Sequence, residues 1–343
     1  NILLMKPVII SDPYPRSLSL IFTKQKLQIL KRSFVIITAP EKNKRGFYEK
    51  NISKATFIMG QPDLDNKLLN KAKKLKAVFN VESNFMDNMD YDFCFQKGIH
   101  VLATSPVFSK PVAELALGLT LSLIRNIHGS HQKFLESTEV YGLESNDNSF
   151  LLTNKKIGII GLGDLSKSLI PLLKPFSDKI SVYDPWVPNK IISDQGMESI
   201  SLNKMFGSCD VIYVLAAITK NNQSIIDKKL LNKLKKNSSL ILMSRAAVMN
   251  FKDFYLRAKK GDIFAALDVF PTEPVNKNDP IRKLKNILFS AHRAGALNGA
   301  FTEMGDIVYE DMMLIMKNLP PRLCKRAERE TVGLLRSKPI SIN

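Results

Sequence analysis

Apolar positions along this chain fall into two recurring patterns. Short runs rich in β-branched residues read as strands buried on both faces. They lie at 8–10, 34–37, 55–59, 77–79 and 100–102, and again at 157–160, 180–184, 209–215, 239–243, 264–269 and 287–289. Between them, apolar residues three and four apart predict helices over 18–32 and 63–75. A further helix is expected over 109–128, with Ser109 as N-cap, Pro111 in the first turn, and Val112, Leu115, Ala116, Leu119 and Leu123 on its apolar side. Phe301, Met304, Val308, Met312 and Ile315 share one face of another over 297–318. Strands alternating with helices predict an α/β fold, with parallel sheets covered by helices on both faces. Residues 141–154 are polar and irregular and read as an exposed arm, and no internal repeat is present.

One junction in this pattern carries a chemical signal. The apolar run 157–160 enters Gly161-Leu162-Gly163, and Leu165, Leu169, Leu172 and Leu173 then follow as one face of a helix, which Pro171 is expected to kink. Strand, glycine turn and helix form the context of a phosphate-binding fingerprint. Gly161 suits the tight turn, Gly163 has no side chain to hold a pyrophosphate away, and the helix start offers free N–H groups. Asp184 follows Gly161 by about 23 residues, close to the roughly 20 expected of the carboxylate that binds the adenosine ribose. Such a carboxylate repels a 2′-phosphate, so the expected cofactor is NAD. Ser166 in place of a third glycine and Asp164 beside the expected pyrophosphate are departures from the fingerprint.

Composition adds bounds. The 343 residues suffice for two domains, and 45% hydrophobic with 24% charged residues is the balance of a globular protein. The longest apolar candidate, 112–124, is interrupted by Glu114 and falls short of the ~18 residues of a membrane span, so no membrane partner is expected. Residues 1–5 are too few for a signal-peptide core. Cys94, Cys209 and Cys324 are isolated and odd in number, which suits a reducing cytoplasm. A net charge of +18 raises the question of nucleic acid. The lysines interleave with leucines, as in 71–76 and 233–236, which is the signature of solvated helix faces. Nucleic acid is therefore not an expected partner, but a basic field would draw in an anionic cofactor and substrate.

Three loops that follow predicted strands hold the remaining chemistry: Ser244-Arg245, Glu273 within a proline-flanked turn, and His292 in a small-residue loop. Arginine can bind a carboxylate in a two-pronged contact and polarise a neighbouring carbonyl. Histidine can pass a proton to the reacting oxygen, and a carboxylate beside it fixes its tautomer. Together they suffice for hydride chemistry on a 2-oxo or 2-hydroxy acid. No metal-ligating spacing is present.

From about residue 75 to 318 the sequence resembles the D-isomer-specific 2-hydroxyacid dehydrogenases. The segments that carry the resemblance are 111–119, 157–163, 244–248, 266–274 and 291–295, in matching order and spacing. It implies two doubly wound parallel-sheet domains, with an NAD-binding Rossmann domain (105–296) inserted into a flavodoxin-like substrate domain (1–104). Residues 297–330 would return to complete the latter, and a C-terminal tail, 331–343, would follow. It further implies Arg245 as carboxylate binder, His292 as acid/base and Glu273 as its orienting partner. Asp268 would contact the nicotinamide amide, and backbone at Asp164, Leu165 and Ser244 would line the cofactor. Family members are usually homodimers joined through the cofactor domain, to which the arm at 141–154 would contribute. Stereochemistry at the alcohol carbon follows from the resemblance alone.

Four departures from the family bear on specificity. Residues 82–86 replace a glycine-rich substrate loop and would place Asn84 and Phe85 against the substrate. Arg293 stands where an aliphatic residue is usual and supplies a second cation, suited to a dicarboxylate or phosphorylated acid. Residues 216–219 replace a proline-containing loop, and Asn250 replaces an acidic residue at a helix start. The alternative function is an NAD-sensing regulatory protein of corepressor type, without significant turnover. A formate-type enzyme is disfavoured because Glu273 stands opposite the histidine.

Overall fold

A computed structural model describes residues 6–14, 16–82, 84–146 and 148–336. The N-terminal run 1–5, Ser83 of the substrate loop, Asp147 of the arm and residues 337–343 of the tail lie outside the described residues. The chain divides into two compact units, one built from the segments up to Phe108 and from Ala296 onward, the other from Ser109–Gly295.

The first segment of unit 1 runs β1 (Val8–Ser11), α1 (Leu18–Ile21), α2 (Lys24–Ser33), β2 (Val35–Thr38), α3 (Lys44–Asn51), β3 (Ala55–Met59), α4 (Asn66–Leu69), β4 (Ala77–Asn80), α5 (Tyr91–Lys97) and β5 (His100–Ala103). Unit 2 opens with α6 (Ser109–Ile124) and α7 (Ile127–Leu135), then β6 (Ile157–Ile160), α8 (Asp164–Leu173), β7 (Ile180–Tyr183), α9 (Asn189–Asp194) and β8 (Glu198–Ser199). It continues with α10 (Leu202–Ser208), β9 (Val211–Val214), α11 (Lys228–Leu231), β10 (Ser239–Leu242), α12 (Phe251–Ala258), β11 (Phe264–Leu267) and β12 (Ile287–Phe289). The chain then returns to unit 1 with α13 (Asn298–Met316) and β13 (Lys325–Arg326).

Unit 1 holds a sheet of order β2-β1-β3-β4-β5-β13, parallel except for β13. That is the flavodoxin-like order with one antiparallel edge strand added. Unit 2 holds β8-β7-β6-β9-β10-β11-β12, all parallel, which is the doubly wound nucleotide-binding order extended by one strand. The central strands β6, β9 and β10 are buried throughout, as their unbroken apolar runs require.

Several elements differ from expectation. The helix expected over 18–32 breaks at Phe22, whose backbone is extended and whose side chain is buried; Thr23 then caps α2 by accepting from Lys26 N. The one expected over 63–75 shrinks to α4, capped by Asp65, and continues as turns. Helices α3 and α5 left no clear apolar stripe because each buries only one or two side chains, Tyr48 in the former and Tyr91 with Cys94 in the latter. The helix expected over 109–128 ends at Ile124, and Asn126, left-handed at φ 49°, starts α7 in a new direction. Pro171 lies inside α8, as expected.

The stretch Ser105–Ile124 does reach the length and hydropathy of a membrane span, contrary to the sequence expectation. Within unit 2 it is a core helix: Val112, Ala113, Ala116, Thr120 and Leu123 are buried, and α6 packs on α8, β10 and β11. The C-terminal segment is also not loose as far as Arg336. The carboxylate of Asp311, fully buried in α13, accepts from the backbone N–H groups of Arg322, Leu323 and Cys324. That contact delivers β13 to the edge of β5, and Val332 and Leu335 beyond it are buried.

Candidate active site

The glycine turn lies where the strand order of unit 2 reverses, between β6 and β9. Gly161 has φ 90°, and a Cβ there would stand 2.6 Å from the Cα of Ala216, so both backbone angle and space demand glycine. Gly163 precedes α8, and a Cβ on it would meet nothing within 4 Å, so its outer face is an open cradle. The first turn of α8, at Asp164 and Leu165, has N–H groups with no acceptor within the helix. Ser166 is fully buried, and its hydroxyl donates to the Gly161 carbonyl. The missing third glycine is thus replaced by a side chain that locks the turn.

Asp184 follows β7 and is tied to the same turn. Its Oδ2 accepts from Leu162 N at 2.7 Å and its Oδ1 from Trp186 N at 2.8 Å. It lines a cavity of about 620 Å³ with Tyr183, Trp186, Ser199 and Ser201. Trp186 is the chain's single tryptophan and is half exposed there; only its uniqueness marks it in the sequence. An open cradle over Gly163 and a carboxylate fixed at the next strand end fit the pyrophosphate and ribose of a dinucleotide. The loop at 216–219 keeps its shape without proline, because Asn222 accepts from Thr219 N and donates to the Ala217 carbonyl. Asn250 caps α12 by accepting from Asp253 N.

The three chemical loops leave adjacent strands at the same edge, after β10, β11 and β12. Ser244 is buried with its hydroxyl on the Val214 carbonyl. Arg245, half-buried in extended backbone, donates from Nη1 to the Ser244 carbonyl at 2.8 Å. Glu273 accepts from Phe270 N at 2.8 Å through Oε1, while its Oε2 lies 2.6 Å from His292 Nδ1. An ionised carboxylate only accepts, so Nδ1 carries the proton of this bond and Nε2 is left for a reacting oxygen. The two side chains are 26% and 30% exposed, enough for a small molecule to reach the ring. His292 has φ 48°, a left-handed backbone that costs a non-glycine residue on the order of 1 kcal/mol.

Asp268 is almost fully buried, and both its carboxylate oxygens accept backbone N–H groups, from Arg293 and Ala294. Arg293 itself is exposed. In unit 1, Asn84 is half-buried and accepts from Phe85 N. Phe85 does not line an open surface: it is buried edge-on against Tyr91, whose hydroxyl donates to the Met86 carbonyl and ties the loop down. Sequence reading missed the buried Glu82, with Arg16 Nη2 3.6 Å from its Oε2, because no motif pairs these positions. Among the described residues no group of His, Cys, Asp and Glu could hold a metal ion.

Known proteins share this chain's sequence pattern and fold. The sequence pattern of the family described as "D-isomer specific 2-hydroxyacid dehydrogenase, NAD binding domain" matches residues 117–294. A crystal structure of a phosphoglycerate oxidoreductase from Rhizobium etli is 41% identical with a TM-score of 0.85, over 95% of this chain and 100% of that one. A D-3-phosphoglycerate dehydrogenase of Methanocaldococcus jannaschii is 29% identical over 73% of this chain, which spans only 47% of that relative. A glyoxylate reductase of Thermofilum pendens is 28% identical over 77% of this chain and 78% of its own length.

Proposed function

The chain belongs to the D-isomer specific 2-hydroxyacid dehydrogenase family, and from that premise we propose that it transfers a hydride between NAD(H) and a small 2-hydroxy/2-oxo acid. The observation that carries the reading is the 2.6 Å contact between His292 Nδ1 and Glu273 Oε2 at the edge where Arg245 also emerges. When bound, the reduced cofactor supplies the hydride that the carbonyl carbon receives. His292 donates a proton from Nε2 to the carbonyl oxygen, which becomes the hydroxyl. Glu273 keeps accepting from Nδ1–H and holds the ring in place, so the proton that moves is the one on Nε2 of the doubly protonated ring. Arg245 binds the substrate carboxylate and offsets the negative charge that develops on the oxygen. Gly161, Gly163, Asp164 and Leu165 would hold the pyrophosphate, and Asp184 the ribose hydroxyls.

The substrate class we favour is a 2-hydroxy/2-oxo acid with a second anionic group. Arg293, exposed one residue after His292, adds a cation that a plain monocarboxylate does not need. The name of the 41%-identical relative, a phosphoglycerate oxidoreductase, points the same way. A homodimer is the assembly we favour, because α7 buries none of its residues and exposes Ile127, Phe134 and Leu135, with Tyr141 and Leu143 following in the arm. The enzymatic names of the relatives leave the regulatory alternative without support.

The test is NADH oxidation against a panel of 2-oxo acids, including phosphorylated and dicarboxylic members. We expect turnover of at least one, with Arg293→Ala lowering kcat/KM selectively for the doubly anionic members. Tight NADH binding without turnover of any acid would overturn the enzymatic reading, and unchanged selectivity would remove Arg293 from it.

A further inference from the structure

The left-handed backbone of His292 persists only because its surroundings impose it. Those constraints converge on one residue. The Asp268 carbonyl accepts from His292 N at 2.7 Å, its Oδ1 from Arg293 N at 3.1 Å and its Oδ2 from Ala294 N at 3.2 Å. Three consecutive N–H groups of the loop therefore end on a single aspartate. Asp268 is itself anchored, since its own N–H donates to the Leu242 carbonyl at the end of β10.

We propose that Asp268 is the positioning residue for His292, its carboxylate clamping the loop so that the imidazole meets Glu273. This rests on the reading of His292 as the acid/base. Family resemblance assigns this carboxylate to the nicotinamide amide. Here it is 1% exposed and each oxygen accepts one N–H from the loop, so the clamp stands whether or not a remaining lone pair also meets a carboxamide. The chemistry also selects aspartate over asparagine. Two N–H donors need two acceptor oxygens, and an amide would turn its own N–H₂ toward one of them.

The test compares wild type and Asp268→Asn as NADH-bound enzymes. A shift of the histidine by about an ångström costs on the order of 10²-fold in rate, so kcat should fall roughly 10- to 100-fold. KM and NADH affinity should each change less than about threefold, which separates loss of aim from loss of binding. The downfield Nδ1 proton resonance of His292 should weaken or move in the variant, a change that a general loss of stability would not produce. Hydrogen exchange on wild type gives a readout that needs neither substrate nor variant: the amides of His292, Arg293 and Ala294 should be protected despite their place in a loop. Loss of NADH affinity with unchanged kcat would overturn the proposal in favour of a cofactor contact. Free exchange at those three amides would overturn it even if Asp268→Asn fails to fold. If wild type turns over no 2-oxo acid, the proposed reaction fails, while exchange and the Nδ1 resonance still decide whether the clamp exists.

Discussion

Both sheets reverse their strand order once, and a glycine makes a close approach at each reversal point, but what lies beside it differs. In unit 2 the reversal lies between β6 and β9, where Gly161 presses on Ala216 and Gly163 beyond it faces open space. In unit 1 it lies between β1 and β3, where Gly60, at φ 146°, presses on Asp12. A Cβ on Gly60 would stand 2.5 Å from the Asp12 Cβ. Asp12 then fills the position, fully buried, with its Oδ1 accepting from Lys44 Nζ at 2.7 Å. Nearby at the end of β4, the amide of Asn80 is buried without a hydrogen-bond partner among the described residues. The same topological opening is thus a cradle in one sheet and is plugged by an acid and a lysine in the other. Topology marks where a ligand can bind, and the side chains decide whether it does.

The largest expected effect concerns the carboxylate that orients the histidine of unit 2. Glu273→Gln should lower kcat on the order of 10²-fold or more, as loss of a histidine-orienting carboxylate does elsewhere. Steady-state kinetics with unchanged NADH affinity would confirm it, and a drop below threefold would remove the carboxylate from the mechanism. Next come the paired glycines. Gly161→Ala and Gly60→Ala should each cost about 1–3 kcal/mol in denaturant unfolding, because both add a Cβ to a disfavoured backbone against a neighbour. Only Gly161→Ala should also weaken NADH binding, and equal weakening by both would break the contrast between the two openings.

A smaller effect of opposite sign is expected at Asn80. Replacing a buried, unpartnered amide by an apolar group of similar shape, Asn80→Leu, should leave stability unchanged or raise it by about 1 kcal/mol. A loss would show that the amide has work to do in unit 1. The smallest effect is a null. Burial pushes the Cys94 thiol up to about 12 and raises Cys209 as well. Burial disfavours the thiolate, so at pH 8 both should resist iodoacetamide in the folded protein and react once it unfolds. Rapid native modification of Cys209 alone would show that the core of unit 2 opens.

The legibility of the sequence follows the same division. In unit 2 each chemical residue lies in the loop after a short apolar strand, so the pattern of apolar runs places Arg245, Glu273 and His292 at one sheet edge. Parallel sheets follow from the alternation, and their doubly wound class from the resemblance. Unit 1 was harder to read because its helices bury so little: α3 contributes Tyr48 and no stripe, and α4 is only Asn66–Leu69. The break at Phe22 depends on a distant residue. Gly305 of α13 lets the Ile21 carbonyl approach to where a Cβ would lie, and no local pattern encodes that. Phe85 was placed at the substrate because loops after strands bind ligands, yet its ring had a closer apolar partner in Tyr91. At Asp268 the sequence shows a carboxylate but not the N–H groups of Arg293 and Ala294 that it accepts from, and its contact with the nicotinamide amide is an expectation from the resemblance alone.

In the proposed reaction His292 moves the proton while the glycine turn and Asp184 hold the cofactor independently of it. Trp186 makes the two functions separable, since it is the only tryptophan and shares a cavity with Asp184. Tryptophan fluorescence and NADH oxidation should therefore be measured together on wild type and His292→Ala. The same NADH-induced change in Trp186 emission is expected for both, with kcat for the 2-oxo acid lowered by roughly 10²–10⁴-fold in the variant. Equal turnover by the two proteins would contradict the proposed role of His292.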